Sequence, residues 1–365
     1  MAVHQFRRDP LRSDTVPVQD WRVGSQAVLR KLYGGPRRRL RPAEREVERR
    51  LHAGLQAVEE ELRLAVSTDV DPRIAELASH IAAAGGKRLR PLLALMAAEF
   101  GDPTRDGVVR AAAVVELVHI ASLYHDDVMD GTDTRRGVQS ANSRWGNPLA
   151  VLGGDWLLAR AAQLAADLGQ HAVRHNSQAA VRLVEGQFRE LLGPAPDEDP
   201  VDHYFEVIAG KTVELVAMSL SIGATQAGAP AEYTEVLSEY GANLGAAFQI
   251  SDDLIDLLSP SGVSGKEQGR DLRIGVLSLP VLLARADSSP EGAELRALVE
   301  QGPITDSRTH RSTLKLFRDS PAVARSRTLM HERVERARAG LASLPDIPAR
   351  TALDAMCDFV TDRSS

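Results

Sequence analysis

AAAVVELVHIASLYHDDVMD, residues 111–130, is the stretch on which the reading of this chain turns. From Ala111 to Leu123 it is apolar on most sides, and a helix that is hydrophobic all round belongs in the middle of a protein. It ends on Asp126-Asp127-Val128-Met129-Asp130, and the same DDxxD pattern returns in LGAAFQISDDLIDLL, residues 244–258, as Asp252-Asp253-Leu254-Ile255-Asp256. Residues four apart share a helical face. Asp126 therefore stacks on Asp130 and Asp252 on Asp256, with Asp127 and Asp253 turned about 100° aside. Carboxylates so stacked repel one another unless a cation sits between them, and hard oxygen donors select Mg²⁺ or Ca²⁺. Two such clusters are suited to gripping a polyphosphate from both sides through bridging metals. One copy alone would be weak, since acidic runs on exposed helices are commonly just hydrated; the apolar context and the second copy make the signal.

Working outward, the pattern is helical almost throughout from about residue 43, rich in Ala, Leu, Arg and Glu and with 4% aromatic residues, which disfavours a substantial sheet. The predicted fold is all-α: a large single-domain helical bundle whose central helices surround a deep apolar cavity. Glycine and proline breaks at Gly85-Gly86, Gly101 to Pro103, Gly131 to Gly137, Gly146 to Pro148, Gly193-Pro194 and Ser259 to Gly269 separate the helices. No run of 18 apolar residues is present, so no transmembrane segment is expected. The N-terminus has no apolar signal core, and the single cysteine, Cys357, excludes an intrachain disulfide framework. A cytoplasmic location is the expectation. Residues 1–50 hold 13 Lys/Arg and 6 Asp/Glu, a charge of +7 within a chain of net −6. Residues 1–45 are accordingly read as a basic, flexible extension, solvated or an arm for anionic lipid, and 46–365 as the catalytic domain. Asp9, Asp14 and Asp20 argue against a transit peptide, and no nucleic-acid partner is expected.

Gly85-Gly86-Lys87-Arg88-Leu89-Arg90-Pro91 is a glycine turn that delivers cations to a helix N-terminus, where backbone N–H groups also favour anions. It lacks GxxxxGK[ST] and is not a P-loop. Arg135-Arg136 follow Asp126 by nine and ten residues; adjacent arginines cannot share a face and suit two anions, or one anion and a carboxylate. His119 lies two turns before Asp126 on roughly the same side. Glu116 to His119 spells ExxH, half of a di-iron motif, but no second copy exists to complete it. Lys211-Thr212 and Lys266 each follow a glycine and gain meaning only from their company.

Taken together, Gly85 to Pro91, Glu116 to Gly137, Gly153-Gly154-Asp155, Gly210 to Thr212, Phe248 to Asp256 and Gly265 to Pro280 resemble the trans-isoprenyl diphosphate synthases, the polyprenyl synthetase family, in order and spacing. The resemblance implies a Mg²⁺-dependent prenyltransferase, with three ions to an active site. It would condense isopentenyl diphosphate with an allylic diphosphate by ionisation, condensation and proton elimination. By resemblance, Lys87, Arg90, His119 and Arg136 hold isopentenyl diphosphate, while Arg135, Lys211, Thr212, Gln249 and Lys266 contact the allylic diphosphate. Asp126, Asp130 and Asp252 are the principal metal ligands, with Asp127 and Asp256 beside them, and Asp126, Asp127, Asp130, Lys211, Asp252 and Asp253 form the catalytic set. A homodimer is also implied.

The resemblance further implies that the growing chain runs down the helix before Asp126, past Val118, Ala121 and Ser122, eight, five and four residues upstream, and that a large aromatic there would stop elongation early; none of the three is bulky. The expected product is therefore longer than farnesyl, in the C30 to C50 range, with a membrane surface as a conceivable acceptor. Rival readings are a short-chain synthase stopping at geranylgeranyl diphosphate and a non-catalytic partner subunit of a heteromeric synthase. A terpene cyclase is a further rival, but it would not need the cations at Gly85 to Arg90 and Arg136. Gly275-Val276 and Ser278 depart from the lysine and threonine of many relatives.

Overall fold

The computed structural model describes residues 40–260 and 267–363, together with positions 28, 29 and 32. The fold is all-α, as predicted. Among the described residues the strands are Thr134–Arg135 and Val138–Gln139, a hairpin that pairs Thr134 with Gln139 and Arg135 with Val138. The first long helix starts at Pro42, next to the expected onset of the helical pattern at about residue 43. Val28, Leu29 and Leu32 are helical and buried, a departure from a solvated tail at those positions. The rest of residues 1–39 lies outside the described residues, as does Lys266.

The helices gather into two compact units, one formed by residues up to 177 with 219–231, the other by 178–218 with 232 onward. In the first, the core is the helix Gly107–Met129, buried over most of its surface from Ala111 to Tyr124, with His119 and Ser122 half-buried. It packs chiefly on Asn147–Asp167, and also on Leu89–Ala98 and Pro42–Ser67. Its run of alanines lets those neighbours come close. Opposite it, Gly154 lies against the His125 imidazole, where a Cβ would stand 2.7 Å from His125 Cδ2, closer than real side chains allow. Tyr124, fully buried, accepts from Ile81 N at 3.3 Å and donates to Leu77 O, so its one polar atom is satisfied while it locks the Pro72–Ala83 helix to the core.

By length and composition Gly107–Met129 and the run Pro200–Gln226 could each cross a membrane, but 67% of each apolar window is buried inside the protein. They are core helices. In the second unit the central helix is Ala231–Leu258. Tyr240 donates to Leu353 O at 2.7 Å and Ser251 to Val360 O at 3.0 Å, which fastens the C-terminal helix Pro348–Asp362 to it. The lone cysteine, Cys357, is buried in this contact, and burial pushes its thiol up to about 11.

Candidate active site

Both acidic clusters sit at helix C-termini. Asp126, Asp127 and Asp130 close Gly107–Met129, and Asp252, Asp253 and Asp256 lie in the last two turns of Ala231–Leu258; neither helix has a basic residue in its last turn. The C-terminal end of a helix carries partial negative charge and favours cations. Carboxylates placed there are a cost to the fold, and that cost is removed when a cation binds.

Within each cluster the middle aspartate differs from its neighbours. Asp127 is fully buried; its Oδ1 accepts from Arg135 Nε at 2.7 Å and Nη2 at 2.6 Å, while its buried Oδ2 has no hydrogen-bond partner among the described residues. Burial raises its pKa against the pull of Arg135. Asp253 is likewise buried, with Oδ2 accepting from Tyr204 Oη at 2.7 Å and Leu279 N at 3.1 Å and Oδ1 from Gln249 Nε2 at 3.0 Å. Burial pushes it up to about 7 despite those three donors. Asp253 ties three segments together inside the second unit, while the side chain of Asp252 beside it is 41% exposed. Asp130 is exposed and Asp126 half-buried. Asp256 Oδ2 accepts from Asp271 N at 3.2 Å, and its carbonyl accepts from Gly269 N at 2.7 Å, which clasps the segment after 267 to the helix end.

Two turns before Asp126, cations converge. Gly85, Gly86 and Arg88 all have positive φ, of 84°, 153° and 47°, and so turn the chain sharply into the Leu89–Ala98 helix. The Arg136 guanidinium lies on Gly86, where a Cβ would stand 2.9 Å from Nη1 and oblige the arginine to shift. Arg136 donates to Gly85 O, which joins the 134–139 hairpin to this loop. His119 faces the set. Burial first, then the charges of Arg90, Arg136, Arg88 and Arg135, hold its imidazole well below the ordinary range, so it is neutral at pH 7. Burial, with Arg88, Arg135 and Arg90 acting against Glu116, pushes even Arg136 down to about 10. Such crowding of like charge is what an anion relieves.

Arg88, a cation of this turn with no individual role expected, is the buried member of the loop, 3% exposed. Its Nη1 donates to Glu116 Oε1 at 2.8 Å and its Nη2 to Ala82 O at 2.9 Å and Glu59 Oε2 at 3.3 Å, with Nε also on Glu59. Glu116 is thereby explained: it is the counter-charge of Arg88, and not half of a metal motif. Lys87 is exposed and Arg90 half-buried on the same loop. Val118 and Ala121 are fully buried, and Ser122, half-buried, donates to His119 O at 2.8 Å.

In the second unit Lys211 and Thr212 ride on a π-helical turn, Ala209–Val213, a widening often found at functional sites. Lys211 Nζ donates to Glu190, and Thr212 Oγ1 donates to Gln249 Oε1 at 2.8 Å, so Thr212, Gln249, Asp253 and Tyr204 form one chain of hydrogen bonds. Tyr204 and Glu190 had no sequence signal. The structure thus brings together Lys87, Arg90, His119, Arg135, Arg136 and the first cluster in one unit, and Lys211, Thr212, Gln249 and the second cluster in the other. Among the described residues no three His, Cys, Asp or Glu side chains converge as a ready metal cage. Mg²⁺ does not ask for one. It is usually held by one or two carboxylates together with substrate phosphates and water, and each unit by itself offers carboxylates of that kind, Asp126 and Asp130 in the first and Asp252 in the second.

Residues 71–315 match the sequence model of the polyprenyl synthetases. The chain is 45% identical over 285 residues to the nonaprenyl diphosphate synthase of Mycobacterium tuberculosis, covering 78% of this chain and 85% of that one. Among solved structures, geranylgeranyl pyrophosphate synthase from Corynebacterium glutamicum, complexed with calcium and isoprenyl diphosphate, superposes with a TM-score of 0.80 at 39% identity, covering 91% and 99% of the two chains. A decaprenyl diphosphate synthase from Rhodobacter capsulatus gives 0.79 at 34% identity, covering 88% and 99%.

Proposed function

The chain belongs to the polyprenyl synthetase family, and from that footing we propose that it is a Mg²⁺-dependent trans-polyprenyl diphosphate synthase with a long-chain product, hexaprenyl to decaprenyl. It condenses isopentenyl diphosphate with an allylic diphosphate. One observation carries the reading: a single core helix presents a cation-ringed, neutral His119 and, about 10 Å further along its axis, outward carboxylates at its negative end. An anion site beside a cation site on one rod is what two diphosphate substrates require.

In this reading Asp126, Asp130 and Asp252 are metal ligands, and bound Mg²⁺ would supply charge neutralisation of the leaving diphosphate. Asp127 holds Arg135, Asp253 holds Gln249, and Lys211 and Thr212 address the same diphosphate. Fixed cations of this kind act at full strength on charge that develops as the allylic C–O bond ionises. Lys87, Arg90, His119 and Arg136 hold isopentenyl diphosphate, whose double bond attacks the cation; the proton then lost goes to the released pyrophosphate. Incubating the protein with labelled isopentenyl diphosphate, Mg²⁺ and each primer from dimethylallyl to geranylgeranyl diphosphate, then sizing the products, tests this. A ladder ending at one long product supports it; a stop at geranylgeranyl would favour the short-chain rival, and no incorporation the partner-subunit reading.

Chain length is proposed to be set along the helix before Asp126. Val118 and Ala121 are small there, and Ala121→Phe should shorten the dominant product by several isoprene units in the same assay, because a ring fills space that a methyl leaves open. Unchanged product length would remove Ala121 from the channel.

Two contacts with partners complete the proposal. Val181, Val184, Phe188, Leu191 and Leu192 form an exposed apolar stripe, with Leu192 at 81% exposure. Such a face supports a homodimer, and Phe188→Glu should convert it to monomer in sedimentation velocity. On Ser307–Arg318, Arg308, Arg311, Lys315 and Arg318 share the exposed face, opposite buried Leu314 and Phe317. That stripe supports peripheral contact with an anionic bilayer, which would take up a water-insoluble product. Reversing all four charges should abolish salt-sensitive binding to phosphatidylglycerol vesicles and leave binding to neutral ones unchanged.

A further inference from the structure

Arg363 follows the last turn of the C-terminal helix and reaches back 111 residues in sequence, its Nη2 donating to Asp252 Oδ1 at 2.7 Å. The guanidinium is not a loose surface group. Its carbon lies 4.5 Å from the centre of the Phe248 ring and 5.8 Å from that of Phe359, and its side chain is only 15% exposed against 41% for Asp252. Nη1 is buried with no hydrogen-bond partner among the described residues. The helix behind it is fastened to the Asp252 helix by Tyr240 and Ser251 at 2.7 and 3.0 Å. A cation stacked on an aromatic face and anchored from behind is held in place. It engages Asp252 through Oδ1, and it offsets the repulsion between Asp252 and Asp256 one helical turn on.

We propose that Arg363 is a positioning residue for the condensation: clamped on Phe248, it fixes the rotamer of Asp252 through Oδ1 and so presents Oδ2 to the metal–diphosphate complex. This rests on the reading of Asp252 as a metal ligand. Carboxylates that bind metals are themselves oriented by hydrogen-bond donors, and loss of such a donor typically weakens metal affinity or activity about 10- to 100-fold.

The test is calorimetric titration of Mg²⁺ into the full-length protein in the presence of inorganic pyrophosphate, alongside steady-state kinetics at varied Mg²⁺. Arg363→Ala should weaken the metal isotherm about 10- to 100-fold and raise the Mg²⁺ needed for half-maximal rate equally, with KM for isopentenyl diphosphate unchanged. Arg363→Lys keeps the charge and should recover part of the affinity. Phe248→Leu leaves the arginine but removes its floor, and should fall between. Asp252→Ala separates the two ideas. If it leaves the isotherm intact, Asp252 is not a ligand and the underlying reading fails. If it weakens the isotherm while Arg363→Ala leaves it unchanged or tightens it, the positioning role is overturned, and the arginine then either only braces the C-terminal helix or competes with the metal.

Discussion

Asp126→Ala lowers kcat/KM for condensation about a thousandfold or more, the expected result if several kcal/mol of leaving-group stabilisation depends on that carboxylate. The companion variant Asp130→Asn separates function from fold. Asp130 is exposed and caps the negative end of its helix. Neutralising it should therefore raise metal-free stability by roughly 0.3–1 kcal/mol in urea unfolding while activity falls steeply. A residue that hinders the fold and is needed for turnover is kept for its chemistry. If both stability and activity drop together, the cluster is structural and the metal assignment is wrong.

The second large effect is on stability. Arg88→Met leaves Glu116, 2% exposed, as a buried charge without its counter-ion. Breaking a buried pair in this way costs about 3–5 kcal/mol. Urea unfolding of the metal-free protein measures it. The double variant Arg88→Met with Glu116→Gln should recover a large part, because the stranded carboxylate is gone. A cost near that of a surface pair, or no recovery in the double variant, would show that water screens the pair and that the loop is held by its glycines instead.

What was legible in the sequence follows from what local spacing encodes. The repeat of DDxxD at the end of two apolar runs placed both carboxylate clusters on core helices, because helical period and hydrophobicity are properties of consecutive residues. Which of three cations in Lys87-Arg88-Leu89-Arg90 would turn inward was not legible. That depends on the positive φ at Gly85, Gly86 and Arg88, and on Glu59 and Glu116 from other helices. Asp253 looked like its neighbours until Tyr204 and Leu279 N were found on it. Arg363 lies 111 residues from its partner and bears no motif of its own. Lys266, singled out by its glycine, lies outside the described residues.

The π-helical turn at Ala209–Val213 can be put in terms of chain length. A π-turn holds one residue more than an α-turn, so it is in effect a single-residue insertion retained inside a helix. Removing one residue there would let the helix close into regular α geometry and gain backbone stability. The same step would rotate everything beyond the deletion by about 100°, so the side chains before the turn and those after it could no longer both keep the faces they now present. The extra residue therefore sets a phase: it lets one continuous helix obey two registers, one for packing before the turn and another after it.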